Sequence, residues 1–208
     1  MENIRRLVED THPILHERCN PIRFNEGAGQ MDPEELRDIL FANMEYWNGY
    51  GLSANQIGLP YRAFSMLHED KPMMIINPRI VEYSNEMVYD LEGCLTYPGL
   101  YVKIKRPKSV HVIYYDIDGS QYQAYFADLS GRIFLHEMDH MMGNIFYDEA
   151  SRFHLQEARK KRKINLRKMK GKNSVLWQSH INNSALKKNT PKTSIVSNEK
   201  KSVNLAKI

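Results

Sequence analysis

Apolar side chains recur at helical spacing in one early stretch of the chain, where Leu36, Ile39, Leu40, Met44 and Trp47 fall on one face. The helix they predict begins at Asp32 as N-cap, with Pro33 in the first helical position and Glu35 placed for a capping box. Gly49 and Gly51 end it. A second helix is predicted over 128–143, with Asp128 as N-cap and Gly143 as the left-handed stop, supported by Asn144. Between them the period shortens to strand-like runs: 62–67, 73–77 and 79–83, the last two separated by Pro78, which fits an edge or a bulge. Runs 109–115 and 121–126 flank Asp118-Gly119, a strong hairpin signal. Residues 1–30, with His12-Pro13, Asn20-Pro21 and Gly27-Ala28-Gly29, read as irregular. Strands come first and the histidine-bearing helix after them, so the expected class is α+β, with antiparallel or mixed sheets packed around that central helix.

After Phe153 the pattern weakens. A basic helix over 154–170 carries a thin apolar stripe of Leu155, Ala158, Ile164, Leu166 and Met169, and beyond Gly171 the chain is polar enough to be read as disordered. The expected division is a folded unit over 1–153 and a basic, partly disordered tail over 154–208. Charge sharpens the contrast. Residues 159–208 hold 15 basic and 1 acidic side chains, a balance of +14, while 1–158 hold 14 and 24, a balance of −10. An acidic body with a basic tail suggests two tasks, or one task with an anchor.

No apolar run approaches the ~20 residues of a membrane span, and the N-terminus carries acids early and lacks a signal-peptide apolar block. The expectation is a soluble cytoplasmic protein. Two cysteines, Cys19 and Cys94, imply no disulfide framework.

The predicted helix 128–143 also carries chemistry. His136 and His140 are four apart and leave the same face, where two imidazoles can grip one divalent metal, and Glu137 beside them can handle protons. Two surface histidines at this spacing are the plainer alternative, and a bare H-E-x-x-H does not separate the two. A third ligand is needed. His154 and His180 lie in the basic tail, whereas Cys94, following Gly93 in a loop between strands, offers a thiolate and leaves a fourth position open for water. In 49–56, paired glycines permit close approach to a ligand, and the Gln56 amide could donate to a developing oxyanion.

Together these stretches resemble the peptide deformylases. That family carries Gly-x-Gly-φ-Ala-Ala-x-Gln, Glu-Gly-Cys-φ-Ser and His-Glu-x-x-His in this order, matched here by 49–56, 92–96 and 136–140, over roughly residues 10–150. Ser53 replaces the usual Ala and Thr96 the usual Ser, and Leu135 stands where a Gln usually precedes the first His, which removes a polar group from the neighbourhood of the ligands.

The resemblance implies a metal-dependent hydrolase that removes the formyl group from N-terminal formylmethionine of new polypeptides. Cys94, His136 and His140 would hold the metal, Glu137 would take a proton from its water and pass it to the leaving amine, and Gln56 with the Leu95 N–H would bind the formyl oxygen. Ligand counting suits zinc, whereas the family works with ferrous iron and accepts nickel or cobalt. Glu92 and Arg106 match a family carboxylate and arginine near the ligand cysteine, and Asp139 would accept from a ligand histidine or anchor the helix. Gly51, Glu92, Arg132 and Ile133, with the Leu129 region, would meet the substrate.

For the tail, resemblance to bacterial enzymes whose C-terminal helix docks on the ribosome suggests an RNA contact through 159–172. Two rivals remain. A zinc endopeptidase also uses H-E-x-x-H but usually takes its third ligand downstream, and a silent RNA-associated relative would have no need of Gln56, Cys94, His136, Glu137 and His140 together.

Overall fold

The computed structural model describes residues 4–24, 30–170 and the short strand Ile195–Val196. The Gly27-Ala28-Gly29 loop, His180 and the disorder expected beyond Gly171 lie outside the described residues.

Helix α1 spans Pro33–Tyr46. Asp32 caps it by accepting from the Glu34 and Glu35 backbone N–H groups, and Leu36, Ile39, Leu40 and Met44 are buried as their spacing requires. Trp47 is not core: it caps the helix end half-buried, its indole N–H donating to the Arg5 carbonyl. Strands β1 (Gly51–Ser53), β2 (Ala63–His68), β3 (Lys71–Tyr83), β6 (Ser109–Tyr115), β7 (Gln121–Ala127) and β8 (Ile195–Val196) form one antiparallel sheet in the order β1-β2-β3-β6-β7-β8. Strands β4 (Met87–Gly93) and β5 (Tyr101–Pro107) pair separately and antiparallel. The chain is therefore α+β with antiparallel sheets.

The runs on either side of Pro78 are one strand, with the register shifting between Ile76 and Arg79 where Asn77 takes a positive φ of 48°. Pro78 thus sits at a bulge inside the sheet, not on an edge. The Asp118-Gly119 turn joins β6 to β7 as read from the sequence, with the Asp118 carboxylate accepting from Ser120.

Helix α2 (Asp128–Met142) is the centre of the molecule. It is buried on nearly every side, from Gly131 to Met138 and again at His140 and Met141. Phe134 stacks on Phe126 and meets Phe64 edge-on, each at 5.4 Å, in a cluster with Met66, Ile75, Val112 and Leu135. Each such side chain contributes about 1.5–3 kcal/mol on burial. The start of α2 differs from expectation. Asp128 has φ of 50° and its carboxylate caps nothing; its backbone N–H donates instead to the Lys108 carbonyl, tying the helix to the end of β5. The far end is held by outside donors. Asn55 Nδ2 reaches the His140 carbonyl at 2.9 Å, while the Cys19 N–H and Arg62 reach that of Met141 at 3.2 and 3.3 Å.

Gly143 closes α2 at φ 74°, and a methyl group there would come within 2.8 Å of the His16 backbone. Gly143→Ala combines left-handed strain with that overlap and is expected to lower stability by about 2–3 kcal/mol, read as a fall in the urea midpoint at unchanged slope.

Helix α3 (Arg152–Lys170) begins two residues before the predicted basic helix and packs on β5. Ala158 is buried, Leu166 lies against Gly99, and Asn165 donates to the Gly99 carbonyl at 2.9 Å. Ile164, read as part of the apolar stripe, is exposed. Among the described residues no helix is long and apolar enough to cross a membrane.

Candidate metal centre and active site

Two separate elements deliver the three candidate ligands. α2 presents His136 and His140, whose rings are 5.4 Å apart, and the loop leaving β4 brings Cys94 Sγ to 3.3 Å from His140 Nε2. All three are buried, and their ligand atoms lie within 4.8 Å of one another. A thiolate and two imidazoles at this separation fit one divalent cation.

A 3-10 turn (Ala54–Ile57) following β1 supplies Gln56. Its Oε1 accepts from the Ser53 N–H at 3.0 Å and from the Ser53 hydroxyl at 3.1 Å, which fixes the amide so that Nε2 points at the cluster. There Nε2 donates to Cys94 Sγ at 3.3 Å and to Thr96 Oγ1 at 3.1 Å. Glu137 faces the same space. Its Oε2 is buried with no protein partner, and a methyl group on Gly51 would overlap its carboxylate.

Behind the ligands runs a closed network of charges. Arg106 grips Glu92 with two hydrogen bonds, 2.6 and 2.9 Å, and reaches Asp139 at 2.8 Å. Arg132 donates to Glu92 Oε1 at 2.6 Å and to the Val88 carbonyl at 2.9 Å. Glu92 Oε2 in turn accepts from His136 Nδ1 at 3.1 Å, which leaves Nε2 of that ring for the cluster. Glu92 and Arg132, read as substrate contacts, both line the cleft, with their polar atoms spent inside this network, where Glu92 orients the ring of a candidate ligand. Asp139 accepts from Arg106, not from a histidine, so of its two expected roles it takes that of helix anchor.

Electrostatics follow from burial and these contacts. Burial opposes ionisation of Cys94, but the His140 charge and hydrogen bonds from both histidines outweigh it and bring the thiol down to about 5. Burial likewise opposes the Glu92 charge, and the His136 hydrogen bond and Arg106 hold its carboxyl at about 2. For Glu137 burial dominates and lifts the carboxyl to about 7, although both histidines pull it down.

The family model described as polypeptide deformylase matches residues 4–156. The chain belongs to the peptide deformylase family. It is 37% identical over 156 residues to the peptide deformylase of Bartonella tribocorum, covering 72% of this chain and 85% of that one. It is 36% identical over 149 residues to peptide deformylase 1B, chloroplastic/mitochondrial, of Arabidopsis thaliana. That match covers 69% of this chain but spans only about half, 53%, of the plant protein. Among solved structures, peptide deformylase from Plasmodium falciparum superposes with a TM-score of 0.68 at 30% identity, over 81% of this chain and 99% of that one. The Thermotoga maritima enzyme gives 0.65 at 30% identity, over 71% and 98%.

Within this deformylase framework the three sequence departures acquire places. Ser53 and Thr96 both bond Gln56, one on each side of its amide. Leu135 packs in the Phe64–Phe134 cluster, on the side of α2 facing the large sheet. The cleft is narrow and lined by Gly49, Gly51, Gln56, Leu91, Glu92, Gly93, Leu95, Leu129, Arg132 and Ile133, beside Cys94 and the face of α2 that carries His136 and Glu137. Sequence reasoning missed Ser53 as the residue that orients Gln56. The signal was present, since a serine three residues before a glutamine is a capping-box spacing.

Proposed function

We propose that this chain removes the formyl group from N-terminal formylmethionine of newly made polypeptides, releasing formate and a free methionine N-terminus. The observation that carries the reading is the convergence of Cys94, His136 and His140 beside a buried, unpartnered Glu137 oxygen and an aimed Gln56 amide. Cys94, His136 and His140 would hold the divalent cation, ferrous iron first, with zinc, nickel or cobalt as substitutes. When bound, such an ion acidifies a water molecule and polarises a carbonyl.

The chain's own groups do the rest. Glu137 takes the proton of the attacking water at its free oxygen and hands it to the leaving amine, a task that suits a carboxyl lifted to about 7. Gln56 Nε2 and the Leu95 N–H donate to the formyl oxygen as it gains charge, each worth about 3 kcal/mol. Gly51 holds the substrate main chain, and Leu129, Ile133 and the aliphatic part of Arg132 line the place for the methionine side chain. Glu92 is a positioning residue that keeps His136 turned inward. The basic stretch 159–172 serves as an RNA contact at the ribosome, and the cytoplasm is its compartment, although the Arabidopsis relative is named chloroplastic/mitochondrial.

The test is formate release from formyl-Met-Ala-Ser by protein loaded anaerobically with ferrous iron or, separately, with nickel. Turnover should vanish on chelation, return when metal is added back, and be absent on acetyl-Met-Ala-Ser. Cleavage of internal peptide bonds would make the chain an endopeptidase instead. Metal bound without turnover would leave the silent relative.

A further inference from the structure

A groove of about 550 Å³ lies away from the candidate ligands, between α3 and the β4–β5 sheet, and Leu91 lines both it and the candidate catalytic cleft. The groove follows α3 from Phe153 to Met169, about 24 Å of helix, which matches some seven residues of extended chain. Its charge is one-sided. Lys103, Lys161 and Lys168 line it, while the single acid, Glu157, is paired with Lys160 at 2.9 Å. Beside it, Tyr89 is half exposed and packs against the lining residue His154 at near right angles, with Lys103 and Lys105 at 5.7 and 5.8 Å from its ring. His154 Nδ1 is buried in the wall with no protein partner.

We infer that this groove is a binding track for the part of the substrate polypeptide that follows the formylmethionine, and that it favours acidic side chains there. The inference rests on the deformylase reading. Three features select this occupant. Continuity through Leu91 gives a chain leaving the cleft a path along α3. Lys103 on the sheet wall and Lys161 and Lys168 on the helix wall, none in a salt bridge with the described residues, complement carboxylates. An extended peptide fills a groove whose length is set by one helix.

The effect belongs in KM, because contacts far from the formyl carbon are equal in ground and transition states. The experiment compares kcat/KM at low salt for peptides sharing formyl-Met-Ala-Ser and followed by four Glu, four Ser or four Lys, each divided by the value for formyl-Met-Ala-Ser alone. The expected order is Glu above Ser above Lys, about three- to tenfold per step, shrinking as salt rises. The double variant Lys103→Glu/Lys161→Glu should abolish or invert the order. Lys163→Glu/Arg167→Glu, the same charge change at exposed positions of α3 outside the groove, should keep it, with circular dichroism confirming that α3 persists in both.

Equal ratios for all three peptides overturn the inference, as does an order that survives the groove variant or is lost equally in the outer-face variant. Equal ratios together with binding of a single-stranded RNA oligonucleotide that the groove variant loses would assign the groove to nucleic acid. Absence of turnover on formyl-Met-Ala-Ser overturns the deformylase reading and the inference with it. Turnover there without any downstream preference overturns the inference alone.

Discussion

Glu137→Gln is expected to cut formate release by about a thousandfold or more while the metal content, measured by atomic absorption, stays at the wild-type level. Glutamine keeps the shape and can still accept a hydrogen bond, but it cannot take a proton from water or return one to the amine. The geometry makes the comparison clean. The Glu137 carboxylate lies against the bare Gly51 backbone and has an oxygen with no protein partner, so the amide enters without new contacts to the ligand side chains. Loss of metal alongside loss of turnover would instead mean that Glu137 serves the ligands. A variant retaining a tenth of the activity would move the proton task elsewhere.

Arg106→Ala is expected to have the largest effect on stability. Among the described residues Arg106 is the one cation that bonds both the buried Glu92 and Asp139 on α2, and removing it leaves two carboxylates short of a partner. Breaking a buried pair of this kind costs about 3–5 kcal/mol, to be read as a shift of the urea midpoint of the metal-free protein. Arg106→Lys should recover only part of the loss, since an ammonium cannot span Glu92 and Asp139 with a planar fork. Activity should fall with stability, because Glu92 freed from Arg106 no longer fixes the His136 ring. An Arg106→Ala midpoint within about 1 kcal/mol of wild type would mean that Arg132 alone holds Glu92.

Much of this was legible in the chain. Helix α1, the β6–β7 hairpin, the end of α2 at Gly143 and the shared face of His136 and His140 follow from spacing, because local caps and turns agree there with the tertiary outcome, while Cys94 is reached through the need for a third ligand and the family motif. What escaped did so for physical reasons. β5 alternates inward residues as a strand should, Val102, Ile104 and Arg106, but its third inward position is a charge, and only the distant Glu92 makes that tolerable. Asp128 has the chemistry of an N-cap yet is overridden by a tertiary bond from its backbone to Lys108. Glu92 pairs with Arg106, but it also takes the His136 ring N–H that Asp139 was a candidate to accept, since a one-dimensional reading has no means of ranking two nearby carboxylates. β1, at three residues, is too short to carry a period.

That short strand has a consequence for what the molecule can meet. β1 ends the large sheet and β4 belongs to the two-stranded one, so each offers an unpaired backbone edge, the feature by which sheets usually invite aggregation. Here both edges sit in the walls of one narrow cleft, at Gly51 and at Leu91 to Gly93. The edge of another folded protein is too broad to enter, while a single extended strand is thin enough to lie between them. Recessing the edges therefore guards the protein against its own kind of stickiness while leaving room for one extended strand.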